Sequence, residues 1–138
     1  MADKDMISDI ASELAIASQD ITANGTTVGA IHDTQGFTAL SFLIEAGTIT
    51  DGDYAVRVVE GDESNLSDGA DAAADRVLGV VAYDSAQTGK SLRVGYVGHK
   101  RFARLEIDAT NVATGAAGVD AKAVKGGPLE GPVPNPSN

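Results

Sequence analysis

The strongest structural signal in the chain is residues 91–108, which read SLRVGYVGHKRFARLEID. Apolar residues alternate with polar or small ones on both sides of the central pair Gly98-His99, and this period of two is typical of strands that bury one face. A Gly-His pair suits a two-residue type II′ turn, which takes glycine at its first position. The pattern therefore predicts an antiparallel hairpin in which Arg93 lies opposite Arg104.

Cations crowd the outer face of this predicted hairpin. Arg93, Arg104 and Lys100 share the face, and like charges directly opposite each other destabilise a sheet unless an anion lies between them. We expect that anion to be Glu106, a carboxylate of the acidic loop 60–75, or an acidic partner surface, since arginine pairs well with carboxylates. The residues alone favour a solvated face balanced by Glu106, leave a protein–protein contact open as the second interpretation, and leave nucleic acid as a remote third.

Strand patterns continue outside this hairpin. Isoleucine and valine together number 21 and leucine only 8, which favours strands over helices. Asn24-Gly25 predicts a type I′ hairpin, and residues 37–44 are apolar on both faces, as in a strand that is buried on both sides. Further strands are predicted over residues 54–59, 77–83 and 118–124. We therefore predict a mainly β fold, a small antiparallel β-barrel or β-sandwich, over residues 19–124.

The two ends of the chain differ from this β region. Ile7, Ile10 and Leu14 have the spacing of an amphipathic helix, so residues 1–18 are expected to form a short N-terminal helix or an extended arm. All four prolines lie in residues 125–138. This predicts an extended Pro/Gly-rich C-terminal tail that cannot form a helix or a sheet by itself.

Composition disfavours several classes of function. The 138 residues carry 10 Lys and Arg against 20 Asp and Glu, a formal charge of −10, which argues against binding nucleic acid through a broad basic face or docking on an anionic membrane. Tryptophan and cysteine are absent, so stacking platforms, thiolate metal sites and cysteine nucleophiles are not expected. No apolar run is long enough to span a membrane, and the N-terminus lacks the pattern of a secretion signal, which predicts a protein kept in a cytosol or released by lysis.

The charge is divided unevenly along the chain. Residues 1–75 contain 2 basic and 15 acidic residues, whereas residues 76–138 contain 8 basic and 5 acidic ones. A chain divided in this way can attract a copy of itself head to tail.

No pattern of reactive residues predicts an enzyme. His32 and His99 are far apart in the sequence and belong to no metal-binding or nucleophile motif. The acidic loop 60–75 could offer oxygen ligands to Ca²⁺, but the spacing of a calcium-binding loop is absent, so a solvated or partner-facing loop is the preferred interpretation. We therefore predict no catalytic residues, no metal site and no cofactor.

Three stretches resemble small auxiliary head proteins of tailed bacteriophages, the capsid decoration or cement proteins. They are residues 36–49, residues 54–60 and, above all, residues 92–104, which read LRVGYVGHKRFAR. The resemblance is one of turn-and-strand patterns and extends over about residues 19–124, while the tail from Gly126 matches no pattern of that family.

The resemblance implies a structural role in the virion. Decoration proteins bind the outer surface of a lattice of major capsid protein with the HK97-like fold, often as trimers at threefold or quasi-threefold sites, and stabilise the head against the pressure of the packaged DNA. The implied partners are the capsid protein and further copies of this chain, without direct contact to nucleic acid or membrane. The implied location is the capsid surface, after synthesis in the host cytoplasm. Multivalent binding gives such a protein high avidity from modest contacts.

The residues expected to contact partners lie in the hairpin and the tail: Arg93, His99, Lys100, Arg101, Arg104, Pro128, Pro132 and Pro134. Two other functions stay open. A phage tail or connector component would form a ring of fixed symmetry, and a secreted β-sandwich would bind Ca²⁺ or carbohydrate. The missing secretion signal, tryptophan and calcium-loop spacing disfavour the secreted alternative.

Overall fold

A computed structural model describes residues 6–128 of the chain. This part contains two 3-10 helices, Ala74–Arg76 and Ser85–Gln87, and eleven strands. In chain order the strands are β1 (Ile10–Ile21), β2 (Gly25–Asp33), β3 (Phe37–Glu45), β4 (Thr48–Ile49), β5 (Asp53–Gly61), β6 (Ala70–Asp71), β7 (Val77–Gly79), β8 (Ala82–Tyr83), β9 (Ser91–Tyr96), β10 (Phe102–Thr110) and β11 (Ala116–Pro128). Residues 6–128 include no helix that is long and apolar enough to cross a membrane.

The strands form two antiparallel sheets that pack face to face. The first sheet has the order β1-β11-β3-β9-β7, with the short β4 beside β11. The second sheet has the order β2-β10-β5-β6, with β8 beside β5. Both sheets are open at their edges, so the predicted mainly β fold is confirmed in its sandwich form and not in its barrel form.

One apolar core fills the space between the sheets. Alternate residues of the strands point into it, as a pleated backbone requires. The largest fully buried side chains are Tyr54, Phe42, Ile44, Leu105, Ile107, His32, Val58, Val94 and Val119. Tyr54 and Tyr83 stack with their ring centroids 5.1 Å apart, and burial raises the pKa of Tyr83 to about 12.

The predicted hairpin at Gly98-His99 is wrong. β9 pairs with β3 and β7 in the first sheet, whereas β10 pairs with β2 and β5 in the second. Residues 97–101 therefore carry the chain across the core, and Gly98 does not adopt the positive φ that a type II′ turn needs. The apolar faces of β9 and β10 meet across the core. The alternating pattern requires only that one face of each strand is buried, and this arrangement buries it as well as pairing in one sheet would. Consequently Arg93 and Arg104 lie on opposite sides of the sandwich.

The predicted hairpin at Asn24-Gly25 is wrong for the same reason. β1 pairs with β11 and β2 pairs with β10, so residues 22–24 also cross between the sheets. The side chain of Asn24 accepts a hydrogen bond from the backbone N–H of Val112 over 2.9 Å. The predicted strand 77–83 is likewise divided, since β7 belongs to the first sheet and β8 to the second.

The helical alternative for the N-terminal region is wrong, because residues 10–21 form strand β1. Ile10 and Leu14 are four residues apart. Two residues at this spacing lie on the same face of a helix, and they also lie on the same face of a regular strand, because side chains in a strand repeat every two residues. The pairing with β11 decides between the two, and three register shifts along it interrupt the regular alternation of faces.

Part of the predicted C-terminal tail belongs to the sandwich. Residues 125–128 are the end of β11 and pair with β1 and β3, so this extended stretch of the predicted tail continues the first sheet. The remaining tail, residues 129–138 with Pro132 and Pro134, lies outside the described residues, as do residues 1–5.

The sequence of residues 37–44 predicts a strand that is buried on both faces. In the structure, strand β3 is buried on one face only. Leu40, Phe42 and Ile44 point into the core, whereas Leu43 is only half-buried on the outer face. The prediction fails because no layer of the described chain covers the outer face of the first sheet.

Candidate partner-binding surface

Two loops meet at one end of the sandwich. The loop 97–101, which carries three of the expected contact residues, leads from β9 to β10. The turn between β2 and β3 lies against it, because Thr34 donates its backbone N–H and its hydroxyl to the carbonyl of Arg101, each over 2.8 Å. A depression of about 160 Å³ between the two loops is lined in part by Phe37 and His99.

Both ends of the described chain reach the same end of the sandwich. On the C-terminal side, Pro128 pairs with Phe37 of β3. On the N-terminal side, Ile10 pairs with Gly126, so the preceding residues lie beside it. We call residues 6–9, 34–38, 97–101 and 126–128 the loop end.

The cations of the loop end are held in exposed ion pairs. Lys100 Nζ lies 3.0 Å from Asp62 Oδ2, and Arg101 donates from Nε and Nη2 to the two oxygens of Asp33 over 2.9 and 2.8 Å. The hydrogen bonds from Arg101 hold the pKa of Asp33 below its usual value. The four side chains are between 40 % and 60 % exposed, and such pairs contribute only about 0–1 kcal/mol. Carboxylates of a partner can therefore take the place of Asp62 and Asp33 in these pairs, with little loss of folding stability.

Apolar side chains are also exposed at this end of the sandwich. Met6 is 68 % exposed and Ile7 65 %, and Val97 is also exposed. Apolar side chains exposed to this extent beside charged residues are typical of a protein contact surface. The sequence gives no sign of this role, because exposure depends on the strand order and not on the local pattern.

Arg104 is held within the chain by a buried carboxylate. Its Nε donates to Glu106 Oε2 over 2.6 Å, and Nη2 of Arg57 lies 2.6 Å from the other oxygen, Oε1. Glu106 is thus an anion between two cations, as predicted for Arg104, but the second cation is Arg57 and not Arg93. Arg93 is exposed on the outer face of the first sheet and takes part in no ion pair among residues 6–128.

Arg57 neutralises much of the outer face of the second sheet. Its Nε donates to Asp108 Oδ2 over 2.8 Å and its Nη1 to Asp71 Oδ1 over 2.9 Å. The hydrogen bond to Asp108 is the main cause that raises the pKa of Arg57. This face therefore satisfies its own charges and offers few of them to a partner.

A charged cluster that the sequence does not predict ties the two sheets together. His32 Nδ1 on β2 lies 2.6 Å from Glu13 Oε1 on β1. Lys125 on β11 donates to Glu13 Oε2 over 2.7 Å and to the carbonyl of Asp33 over 3.2 Å. Burial raises the pKa of Glu13, but the hydrogen bonds from Lys125 and His32 outweigh it and hold that pKa below its usual value. His32 is accordingly a core residue that joins the sheets.

The acidic loop 60–75 uses several of its carboxylates within the chain. Asp68 accepts the backbone N–H groups of Asp62 and Glu63 over 2.8 and 3.1 Å, and these bonds lower its pKa. Asp71 is occupied by Arg57. Within residues 6–128, no three side chains of His, Asp or Glu are grouped so that they could hold a metal ion.

The structure therefore brings together half of the residues expected to contact partners. The backbone of Pro128 and the residues His99, Lys100 and Arg101 all lie at the loop end. Arg93 and Arg104 lie on the outer faces of opposite sheets, and the other two expected residues lie beyond the described part of the chain.

Comparison with known proteins bears on the fold alone. No protein-family model matches the chain, and no curated protein matches its sequence. Among solved structures, the chain is similar to the crystal structure of the SPBc2 prophage-derived protein YomS, with a TM-score of 0.50 over 85 % of this chain and 92 % of that chain. At 13 % sequence identity the likeness concerns the arrangement of the strands and not the residues of a site.

Proposed function

We propose that this protein is a virion structural protein of a tailed phage, which binds the outer surface of the capsid lattice and stabilises the head. In this role the sandwich is a rigid body and the loop end contacts the major capsid protein. Several copies cover the lattice, as trimers at threefold sites in the family that the sequence resembles. The role requires binding surfaces and no reactive centre.

The observation that carries this proposal is the composition of the loop end. Lys100 and Arg101 are exposed in replaceable ion pairs, and the exposed Met6 and Ile7 precede β1 at the same end of the sandwich. Interfaces of this kind combine apolar contacts, which supply affinity, with charged contacts, which set orientation and partner choice. Repetition of the same contact by many copies on one lattice multiplies a modest affinity.

Two further observations support a phage origin. The residues of the stretch 92–104 resemble those of decoration proteins, and the structural neighbour is by its name a prophage-derived protein. Neither observation names a capsid partner, so the capsid contact rests on the loop end.

Binding to particles tests this proposal. Particles from a lysate that lacks the gene are incubated with the purified protein and sedimented, and bound protein is measured against concentration. We expect saturable binding, and we expect Lys100→Glu or Arg101→Glu to weaken it about tenfold, because each reversal replaces an attraction by a repulsion. Lys90→Glu is the matched control, since Lys90 is exposed at the opposite end of β9.

Melting temperatures of the variants, measured first, separate lost binding from lost folding. Equal binding by all variants would remove the loop end from the contact, and failure of the wild type to bind any particle would overturn the proposal. Deletion of residues 129–138 is a further test that leaves strand β11 intact, and we expect it to lower the occupancy of the particles.

A further inference from the structure

The outer face of the first sheet exposes large apolar side chains between its polar ones. Leu14 on β1 and Leu78 on β7 are each more than half exposed, and half-buried Leu43 lies on the same face between them. The centre of the face is shallow, because Gly95 has no side chain there and lies beside Ser41. An antiparallel sheet that meets water on one face normally carries polar residues on that face.

Two cations lie in one row across this face. Lys122 of β11 pairs with Leu43 of β3, which in turn pairs with Arg93 of β9. Neither cation takes part in an ion pair within residues 6–128. The outer face of the second sheet differs, since its arginines are neutralised by carboxylates of the same chain.

Two carboxylates form a second row on the same face. Asp120 and Glu45 lie two residues along β11 and β3 from the cation row, directly opposite each other. Like charges in this arrangement destabilise a sheet. Neither carboxylate takes part in an ion pair within residues 6–128. The row of acids is therefore as uncompensated as the row of cations.

A single two-fold axis relating two copies of the chain would neutralise the charges of both rows. With the axis in the plane of contact, perpendicular to the strands and midway between the rows, the cations of one copy lie over the acids of the other. Lys122 then faces the partner's Asp120, and Arg93 comes within reach of the partner's Glu45 on the neighbouring strand. We infer that the outer face of the first sheet is a self-complementary interface that binds the same face of a second copy of this chain.

The size of the face sets the expected strength of this dimer. Five strands about 4.8 Å apart, each contributing about six residues at about 3.4 Å, give a face of roughly 500 Å² per copy. A total of about 1,000 Å² lies at the lower limit of specific interfaces, so we expect a dissociation constant in the micromolar range. The contact does not rest on the proposed function, because it leaves the loop end free.

Analytical ultracentrifugation of the purified full chain at about 0.15 M salt tests the inference. We expect a reversible monomer–dimer equilibrium that Lys122→Glu or Asp120→Lys weakens about tenfold. The double variant Asp120→Lys/Lys122→Glu should restore dimerisation to within about threefold of the wild type, because the two-fold axis pairs the two positions in both directions. Lys100→Glu makes the same charge change away from this face and should leave the equilibrium unchanged.

Three results would overturn the inference: a wild type that stays monomeric up to about 1 mM, a Lys122→Glu variant that dimerises like the wild type, or a double variant as weak as the single ones. Circular dichroism melting of each variant shows that the monomers are folded. Particle binding by the wild type together with a monomeric solution state would refute this interface and leave the proposed function standing.

Discussion

Glu13 Oε1 on β1 lies 2.6 Å from Nδ1 of His32 on β2, and this contact joins an edge strand of one sheet to an edge strand of the other. Lys125 binds the second oxygen of the same carboxylate from the neighbouring strand β11. A charged cluster thus links the two sheets along this open edge, and in it His32 and Lys125 are buried whereas Glu13 reaches the solvent.

Glu13→Gln should destabilise the fold, because it leaves the buried Lys125 without its counter-charge. Loss of one partner of a fully buried pair costs about 3–5 kcal/mol, and we expect about 2 kcal/mol here since the Glu13 side chain is 42 % exposed. Urea unfolding followed by circular dichroism measures the change. Glu63→Gln, an exposed control of the same chemistry, should stay within about 0.5 kcal/mol of the wild type, and equal stability of both variants would argue against the cluster.

The pH dependence of stability should carry the signature of the same carboxylate. The pKa of Glu13 is lower in the folded state than its usual 4.5, so its contribution is complete above that value and is lost as the pH falls through the lower folded pKa. The pKa values of Asp33 and Asp108 are likewise lower in the folded state than their usual 3.8, so both residues also lose their contribution to stability as the pH falls. We expect the free energy of unfolding to fall steeply below about pH 4.5, and less steeply in Glu13→Gln. Identical slopes in the two proteins would contradict this assignment.

Glu106→Gln should be among the most damaging single changes on the second sheet. The carboxylate is 3 % exposed and pairs with Arg57 and Arg104 at once, so its neutralisation should lower the free energy of unfolding by about 3 kcal/mol. Asp71→Asn removes an exposed partner of the same Arg57 and should change it by about 0.5 kcal/mol or less. Chemical denaturation measures both losses of stability, and a larger loss for Asp71→Asn than for Glu106→Gln would contradict the central role of Glu106.

Gly115→Ala should distort the turn that precedes β11. A methyl group at Gly115 would lie 1.8 Å from the carbonyl oxygen of Ile21, and the backbone there has a φ of +92°. We expect a loss of about 3 kcal/mol, from strain and overlap together. Gly89→Ala at φ +74° meets no atom within 4 Å and should lose only about 1 kcal/mol. Equal melting temperatures of the Gly115→Ala and Gly89→Ala variants would show that the turn at Gly115 accommodates the methyl group without strain.

Alternation in the sequence identifies the buried faces of the strands but not their neighbours. Val94 and Leu105 are both buried, as the pattern in residues 91–108 predicts. The pattern is satisfied equally by two strands side by side and by two strands facing each other across the core. Turn residues do not decide between these arrangements either, since Asn24-Gly25 and Gly98-His99 both lie where the chain crosses from one sheet to the other.

The candidate site is only partly predictable for a related reason. Lys100 and Arg101 lie together because they are neighbours in the sequence. The apolar part of the loop end is contributed by Met6 and Ile7, which reach it through the pairing of β1 with β11, more than 100 residues away in the chain. Glu13 and Lys125 meet through the same pairing, and no local pattern in the sequence marks either residue as a partner of the other.

Cryo-electron microscopy of purified particles from the source of this gene tests the central claim most directly. We predict density for a two-sheet sandwich repeated over the outer surface of the head, with the loop end, including Lys100 and Arg101, against the capsid protein. Removal of the gene should remove that density and lower the temperature at which the heads release DNA. Density confined to a ring at the tail or connector, or particles that do not contain the protein, would contradict the account.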